Sequence, residues 1–106
     1  MTNSVIVSPH YLSSEAGKVV IEKGGNAIDA AIAVNIVQGV VAPETCGIGG
    51  DLFALIWING DEKPYCLDSS GYAGSNVDTI DFSSFQSLPL NHEATATVPG
   101  AVKGWE

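Results

Sequence analysis

The first half of the chain has the apolar spacing of helices. Residues 9–23 carry a stripe that falls on one helical face, formed by Leu12, Ala16, Val19 and Val20. Ser8 is a suitable capping residue, and Pro9 suits the first helical position. Gly24 and Gly25 predict the end of this helix, because glycine adopts the left-handed capping conformation without steric cost.

A second predicted helix covers residues 26–42. Asn26 is its expected cap, and Asp29, three residues later, completes a capping box and places negative charge in the first turn. Pro43 predicts its end. Its apolar positions lie nearly all round the helix, which is typical of a helix buried on every side. They are Ala27, Ile28, Ala30, Ala31, Ile32, Ala33, Val34, Ile36, Val37, Val40 and Val41.

The other predicted elements are strands at 5–7, 52–58, 64–67 and 94–98, a loop at 68–91 and a helix over 101–106. Residues 52–58 show no polar alternation, which predicts a strand covered on both faces. Asn59 and Gly60 form a strong turn signal and predict a hairpin. The last predicted helix has no stop signal. We therefore expect the cover of these elements to come from outside the chain; a small globule or an oligomer is the alternative.

Composition narrows the possible functions. The 106 residues include 12 acidic and 4 basic side chains, a formal net charge of −8, which argues against nucleic acid and anionic membranes as partners. The length allows at most one small domain. A hydrophobic content of 45% excludes a disordered acidic tail. The apolar stretch 27–42 is interrupted by polar residues and too short to span a bilayer.

Cys46 and Cys66 match no metal or redox spacing, so neither a metal site nor a disulfide scaffold is predicted, although one disulfide stays open. No signal peptide is visible. The predicted compartment is therefore the cytoplasm, with secretion or a periplasmic location as the alternatives.

No catalytic constellation is evident from the residues alone. The loop Gly47-Ile48-Gly49-Gly50 follows a helix and precedes a strand, the reverse of a phosphate-binding loop, so we interpret it as a tight backbone passage. His10 and His92 are predicted to be surface or capping residues. The serines after Asp68 are predicted to form a turn, because no base is near them in sequence.

Five blocks nevertheless occur in a specific order. They are Ser8-Pro9-His10 with Glu15-Ala16-Gly17, Gly24-Gly25-Asn26-Ala27-Ile28-Asp29-Ala30-Ala31, Gly47-Ile48-Gly49-Gly50, Leu67-Asp68 and Val98-Pro99-Gly100. In this order the chain resembles the amino-terminal part of the γ-glutamyltranspeptidase family. The resemblance implies an α/β (α+β) fold, namely part of an αββα sandwich of the N-terminal-nucleophile hydrolase type, with helices first and antiparallel strands after them.

The resemblance also implies a precursor that cleaves itself and exposes a threonine nucleophile. None of the threonines here lies in a matching block; they are Thr2, Thr45, Thr79, Thr95 and Thr97. Residues 1–106 are thus expected to be an incomplete segment of the large subunit, inactive alone. The implied partners are the rest of the large subunit, the small subunit and a small-molecule amide, with no cofactor or metal.

One departure from the family concerns specificity. Glutathione-using members carry an arginine that binds the α-carboxylate of the donor, and this position is Ser70 here. Another subset has arginine where this chain has Tyr72. Ser70 and Tyr72 are therefore the candidate substrate-binding residues. Because a hydroxyl cannot replace a bidentate guanidinium, the departure favours an amidohydrolase or acylase of unknown acyl specificity, with an arginine supplied by another segment as the alternative.

A different class of function is also open. The chain could be a free-standing binding or interaction module derived from this family, without catalysis. Such a module would be cooperative and monodisperse in isolation. An enzyme segment is instead expected to aggregate or to form oligomers that cover its apolar faces.

Overall fold

Two helices precede two antiparallel strands along the chain, as the sequence predicts. The computed structural model describes residues 4–106, which divide into two units at the boundary between Ile48 and Gly49. The first unit contains α1 (Tyr11–Glu22) and α2 (Ala27–Val41); the second contains β1 (Leu52–Ile56), β2 (Tyr65–Ser69) and α3 (Ala101–Trp105). The mixed α/β class with helices first is confirmed.

The start of α1 differs from the prediction. His10, not Ser8, caps the helix, because its side chain accepts a hydrogen bond from the backbone N–H of Leu12 at 3.2 Å. The Ser8 hydroxyl donates instead to the carbonyl of His10. The prediction of Ser8 as the cap and Pro9 as the first helical residue is therefore wrong, whereas the capping role of His10 is confirmed. At the other end Gly24 has the predicted left-handed conformation, with φ of +91°.

The capping box of α2 is confirmed. The Asn26 side chain accepts hydrogen bonds from the N–H groups of Ile28 and Asp29, and the Asp29 carboxylate accepts from the N–H of Asn26. Ala42 closes the helix by donating its N–H to the Gln38 carbonyl at 2.9 Å. The chain then turns at Pro43, as expected for a residue that lacks a backbone N–H.

The two helices pack against each other through small and polar side chains. Gly17 of α1 lies so close to α2 that a Cβ there would be 2.7 Å from Val34 Cγ2. The fully buried Ser13 hydroxyl donates to Gln38 Oε1 at 2.9 Å. Because a buried polar group costs free energy unless it is paired, this bond lets two polar side chains lie inside the helix pair.

Residues 5–7 form no regular secondary structure, so the predicted strand there is wrong. Ile6 is half-buried and would contact a Cβ at position 17, while Val5 and Val7 are both 86% exposed. The β-branched pattern fits a strand, but no neighbouring strand among residues 4–106 pairs with it.

The hairpin of β1 and β2 is confirmed, with shifted bounds. Its register pairs Leu52 with Ser69 and Ile56 with Tyr65. Gly60, at φ of +99°, lies in the predicted turn. Trp57 and Ile58 fall outside β1 and are exposed, so the strand is shorter than the predicted 52–58.

Much of the apolar surface is uncovered. On the outer face of β1, Phe53 is 67% exposed and Leu55 is 77% exposed. In α2 only Ala30 and Gln38 are buried, whereas Val40 is 76% exposed. Residues 4–106 alone therefore leave the helix and the strand largely uncovered, and their burial by layers outside this chain stays a prediction. The exposed faces fit the expectation that their cover comes from elsewhere.

The strand predicted at 94–98 is also wrong. Glu93–Thr95 form a 3₁₀ turn, which His92 caps by accepting from the Ala94 N–H at 3.1 Å. The Thr95 hydroxyl bonds back to the His92 carbonyl. These local bonds compete with strand pairing, and the one β-bridge that this segment forms among residues 4–106 is isolated and joins Ala73 with Thr97. The segment before it is mainly loop, as predicted, with a 3₁₀ turn at Val77–Thr79.

None of the helices described in residues 4–106 combines the length and the apolar character needed to cross a bilayer. Cys46 and Cys66 are both free thiols.

Candidate functional site

Two loops of the second unit meet where β2 ends and α3 begins. We call this junction the glycine crossing and define it as residues 69–72 together with residues 97–101. A Cβ at Gly71 would lie 1.3 Å from the Val98 carbonyl oxygen, and one at Gly100 would lie 2.3 Å from the Ser69 carbonyl oxygen. These distances exclude any side chain, so both positions require glycine for steric reasons.

Backbone hydrogen bonds hold the glycine crossing together. The Val98 N–H donates to the Tyr72 carbonyl at 2.8 Å, and the Ser69 hydroxyl donates to the Gly100 carbonyl at 2.8 Å. The Gly50 carbonyl accepts from the N–H groups of both Gly100 and Ala101, at 3.0 and 2.9 Å. Gly50, which lies just before β1, is therefore also hydrogen-bonded to the glycine crossing.

Asp51 joins both halves of the glycine crossing through one carboxylate oxygen. Its Oδ1 accepts from the Gly71 N–H at 3.0 Å and from the Thr97 hydroxyl at 2.9 Å. Hydrogen bonds to an ionised acceptor are stronger than those between neutral groups. A single carboxylate thus connects three separate stretches of chain.

The candidate residues Ser70 and Tyr72 flank Gly71 in this turn. Both are exposed, Tyr72 to 88%. The Ser70 N–H donates to Asp68 Oδ1 at 2.9 Å, and this bond, together with a weaker contribution from the Ser70 hydroxyl, lowers the pKa of Asp68. The turn presents a hydroxyl, a phenol and carboxylates, but no guanidinium, because the sequence contains no arginine.

The Gly47-Ile48-Gly49-Gly50 loop only partly fits the predicted tight passage. A Cβ on Gly47 or Gly49 would meet no atom within 4 Å, so for these two positions the predicted clash of side chains is wrong. The close approaches occur instead at Gly71 and Gly100. Gly50 contributes through its carbonyl, which is available in any residue.

Asp51 was not singled out by the sequence pattern. Its donors lie 20 and 46 residues further along the chain, and short-range spacing cannot show such contacts. The available signal was the order of the motifs, because Gly50 and Gly100 come from two of the five blocks and are hydrogen-bonded to each other here.

A second concave region lies in the first unit. It is a groove of about 950 Å³ between residues 5–7 and α2, lined by Ile6, Ala27, Ala30, Ala31 and Val34 among others. No Asp, Glu, Lys or His side chain lines it, and the free thiol of Cys46 is the titratable side chain in its lining. Within residues 4–106, no three His, Cys, Asp or Glu side chains come together as metal ligands.

Comparison with known proteins gives a consistent result. The family model described as Gamma-glutamyltranspeptidase matches residues 13–106. The glutathione hydrolase-like YwrD proenzyme of Bacillus subtilis is 40% identical over 99% of this chain and 20% of its own length. The oxamate amidohydrolase proenzyme of Klebsiella pneumoniae is 35% identical over 98% of this chain and 20% of its own length.

The solved structure of Helicobacter pylori γ-glutamyltranspeptidase is similar to the chain with a TM-score of 0.78 and 34% identity, over 99% of this chain and 32% of that one. The chain therefore spans about a fifth of the length of these curated relatives. A family match over nearly all of the sequence, together with this structural likeness, shows that the chain belongs to the γ-glutamyltranspeptidase family.

Proposed function

We propose that residues 1–106 form part of the large subunit of a self-processing enzyme that cleaves amides and transfers the acyl group to water or an amine. The proposed partners are the rest of the large subunit and the small subunit of the same precursor. Support comes from the family membership, from relatives named as proenzymes, and from the short share of their length that the chain spans.

The proposed chemistry is nucleophilic catalysis by a threonine whose free α-amine acts as the base. The threonine hydroxyl oxygen attacks the carbonyl carbon of the donor amide, and the α-amine takes the hydroxyl proton and passes it to the amine of the donor, which leaves. The acyl-enzyme then passes its acyl group to the acceptor. The threonine must come from outside residues 1–106, since none here lies in a matching block. Exposed apolar faces on α2 and β1 support the idea that further layers complete the enzyme.

The role proposed for this chain is one wall of the donor pocket, formed at the glycine crossing. The carrying observation is that residues 1–106 contain no arginine, whereas the family resemblance implies one at the position of Ser70 or of Tyr72. Without an arginine in these residues, the α-carboxylate of a donor has no charge-assisted, bidentate partner here. We therefore propose an amide donor without a free α-amino-acid end.

The test is to express the chain with its natural downstream coding sequence. Self-cleavage into two subunits is followed by gel and mass spectrometry. Hydrolysis is then compared between a γ-glutamyl anilide, a neutral acyl anilide and oxamate. We expect cleavage, together with at least about tenfold higher kcat/KM for a donor that lacks the α-amino-acid group. A long chain that never cleaves and hydrolyses no amide would contradict the proposal and favour the non-catalytic binding module.

A further inference from the structure

We propose that Asp51 is a positioning residue, which holds the turn bearing Ser70 and Tyr72 in the orientation that binds the acyl donor. This inference rests on the proposed function. Asp51 acts through the backbone of Gly71 and the hydroxyl of Thr97, and it need not touch the donor itself.

The geometry gives Asp51 a role that no other carboxylate has among the described residues. Its Oδ1 accepts from both halves of the glycine crossing, at 3.0 and 2.9 Å. Asp68, the other carboxylate at this turn, bonds only two residues away, to the Ser70 N–H. Removing the Asp51 carboxylate would release two donors at once and uncouple the turn from residue 97.

The other hydrogen bonds of the glycine crossing explain why removal of the Asp51 carboxylate would reorient the side chains of Ser70 and Tyr72. The Tyr72 carbonyl accepts from Val98, and the Ser69 hydroxyl donates to Gly100. Neither of these two hydrogen bonds involves the Gly71 N–H. In the hydrogen bonds of this turn, that N–H donates to Asp51 alone. Because Gly71 lies between Ser70 and Tyr72, rotation of its peptide would reorient both.

The experiment uses the self-cleaved enzyme made from the chain and its downstream sequence. Four variants are compared with the wild type: Asp51→Ala, Asp51→Asn, Thr97→Val and, as the matched control, Asp61→Asn in the hairpin turn. KM and kcat are measured with the best donor. An interaction that positions the binding wall equally for ground and transition states changes KM and leaves kcat nearly constant.

We expect Asp51→Ala to raise KM at least about tenfold, with kcat within about threefold of the wild type. Asparagine keeps an acceptor oxygen, so Asp51→Asn should restore most of the affinity. Thr97→Val, which replaces a hydroxyl with a methyl group of similar size, should raise KM about threefold, less than Asp51→Ala, because it removes one of the two donors to Asp51 and leaves the other in place. Asp61→Asn should match the wild type.

Amide hydrogen exchange on the same samples gives a readout that does not depend on activity. The Gly71 N–H should exchange faster in Asp51→Ala than in Asp61→Asn. Unchanged KM in both Asp51→Ala and Thr97→Val would overturn the inference, as would unchanged exchange at Gly71. If Asp51→Ala fails to self-cleave, the KM of Thr97→Val decides. A wild type that neither cleaves nor hydrolyses amides instead refutes the proposed function, and with it a donor-binding role for Asp51.

Discussion

Single residues without side chains decide the geometry of the candidate site. Gly71 and Gly100 allow two loops to come closer than any Cβ permits, whereas Gly47 and Gly49 meet no such limit. The requirement for glycine therefore depends on what crosses the position in space, and a run of glycines in the sequence does not reveal it.

Replacement of Gly71 by alanine should disrupt the glycine crossing. The new Cβ would lie 1.3 Å from a backbone oxygen of Val98, so the two loops would have to separate. We expect a loss of roughly 3 kcal/mol or more in the free energy of unfolding, measured by chemical denaturation. Gly74→Ala is the control, because a Cβ there has no neighbour within 4 Å. Equal stability of the two variants would contradict the described contact.

The carboxylate of Asp68 should remain ionised to lower pH than usual. Its pKa is lowered, first by the Ser70 N–H and then by the Ser70 hydroxyl. Since the folded pKa lies below the unfolded one, the resulting stabilisation is present above the ordinary carboxyl pKa and is lost as the pH falls through the folded value. NMR titration of the carboxyl carbon should show a low midpoint. Ser70→Ala should raise it only partly, because the backbone donor remains; a midpoint unaffected by this change would argue against the hydroxyl contribution.

At the scale of elements, the ends of helices are set by contacts within a few residues. The capping box of α2 depends on Asn26 and Asp29, which are three positions apart, and the structure contains it as the sequence predicts.

Replacement of Asn26 by alanine should therefore weaken α2. The change removes an acceptor for two backbone N–H groups, and we expect a loss of about 1 kcal/mol in the free energy of unfolding. Asn26→Ser keeps an acceptor oxygen and should differ from the wild type by only a few tenths of a kcal/mol. Urea denaturation followed by circular dichroism measures both. A serine variant as unstable as the alanine variant would exclude capping as the cause.

The features that could be predicted from the sequence are those that depend on residues nearby along the chain. The capping box, the left-handed Gly24 and the turn at Gly60 were predicted because each needs only local geometry. The strand at 94–98 was wrong because capping by His92 outcompeted its apolar pattern. The Asp51 contacts could not be predicted, since Thr97 lies 46 residues away and only folding brings the two together.

At the scale of the whole molecule, the chain exposes apolar faces that an isolated protein usually covers. The outer face of β1 presents Phe53 and Leu55, and the sheet formed within residues 4–106 has only two strands. A two-stranded sheet is marginally stable alone, and its unpaired edges invite pairing with other chains. The exposed surface therefore favours association.

Association of the isolated chain should depend on this face. We expect light scattering to show a concentration-dependent increase in mass, and the double variant Phe53→Ser with Leu55→Ser to reduce it. Leu90→Ser is the control, since Leu90 is 95% exposed but stands in a loop away from the hairpin strands. A chain that stays monomeric at all concentrations would contradict this expectation.

The Asp51 connection also has a consequence for the time order of synthesis. A ribosome releases residues from the amino terminus onward, so α1, α2 and the hairpin can form before residue 97 emerges. The glycine crossing cannot, because its donor at Thr97 and its anchors at Val98 and Gly100 are made last. On a nascent chain the turn of Ser70 and Tyr72 should stay unanchored until residues 97–100 have left the ribosome, so this candidate surface should be assembled after the helices α1 and α2 and the hairpin.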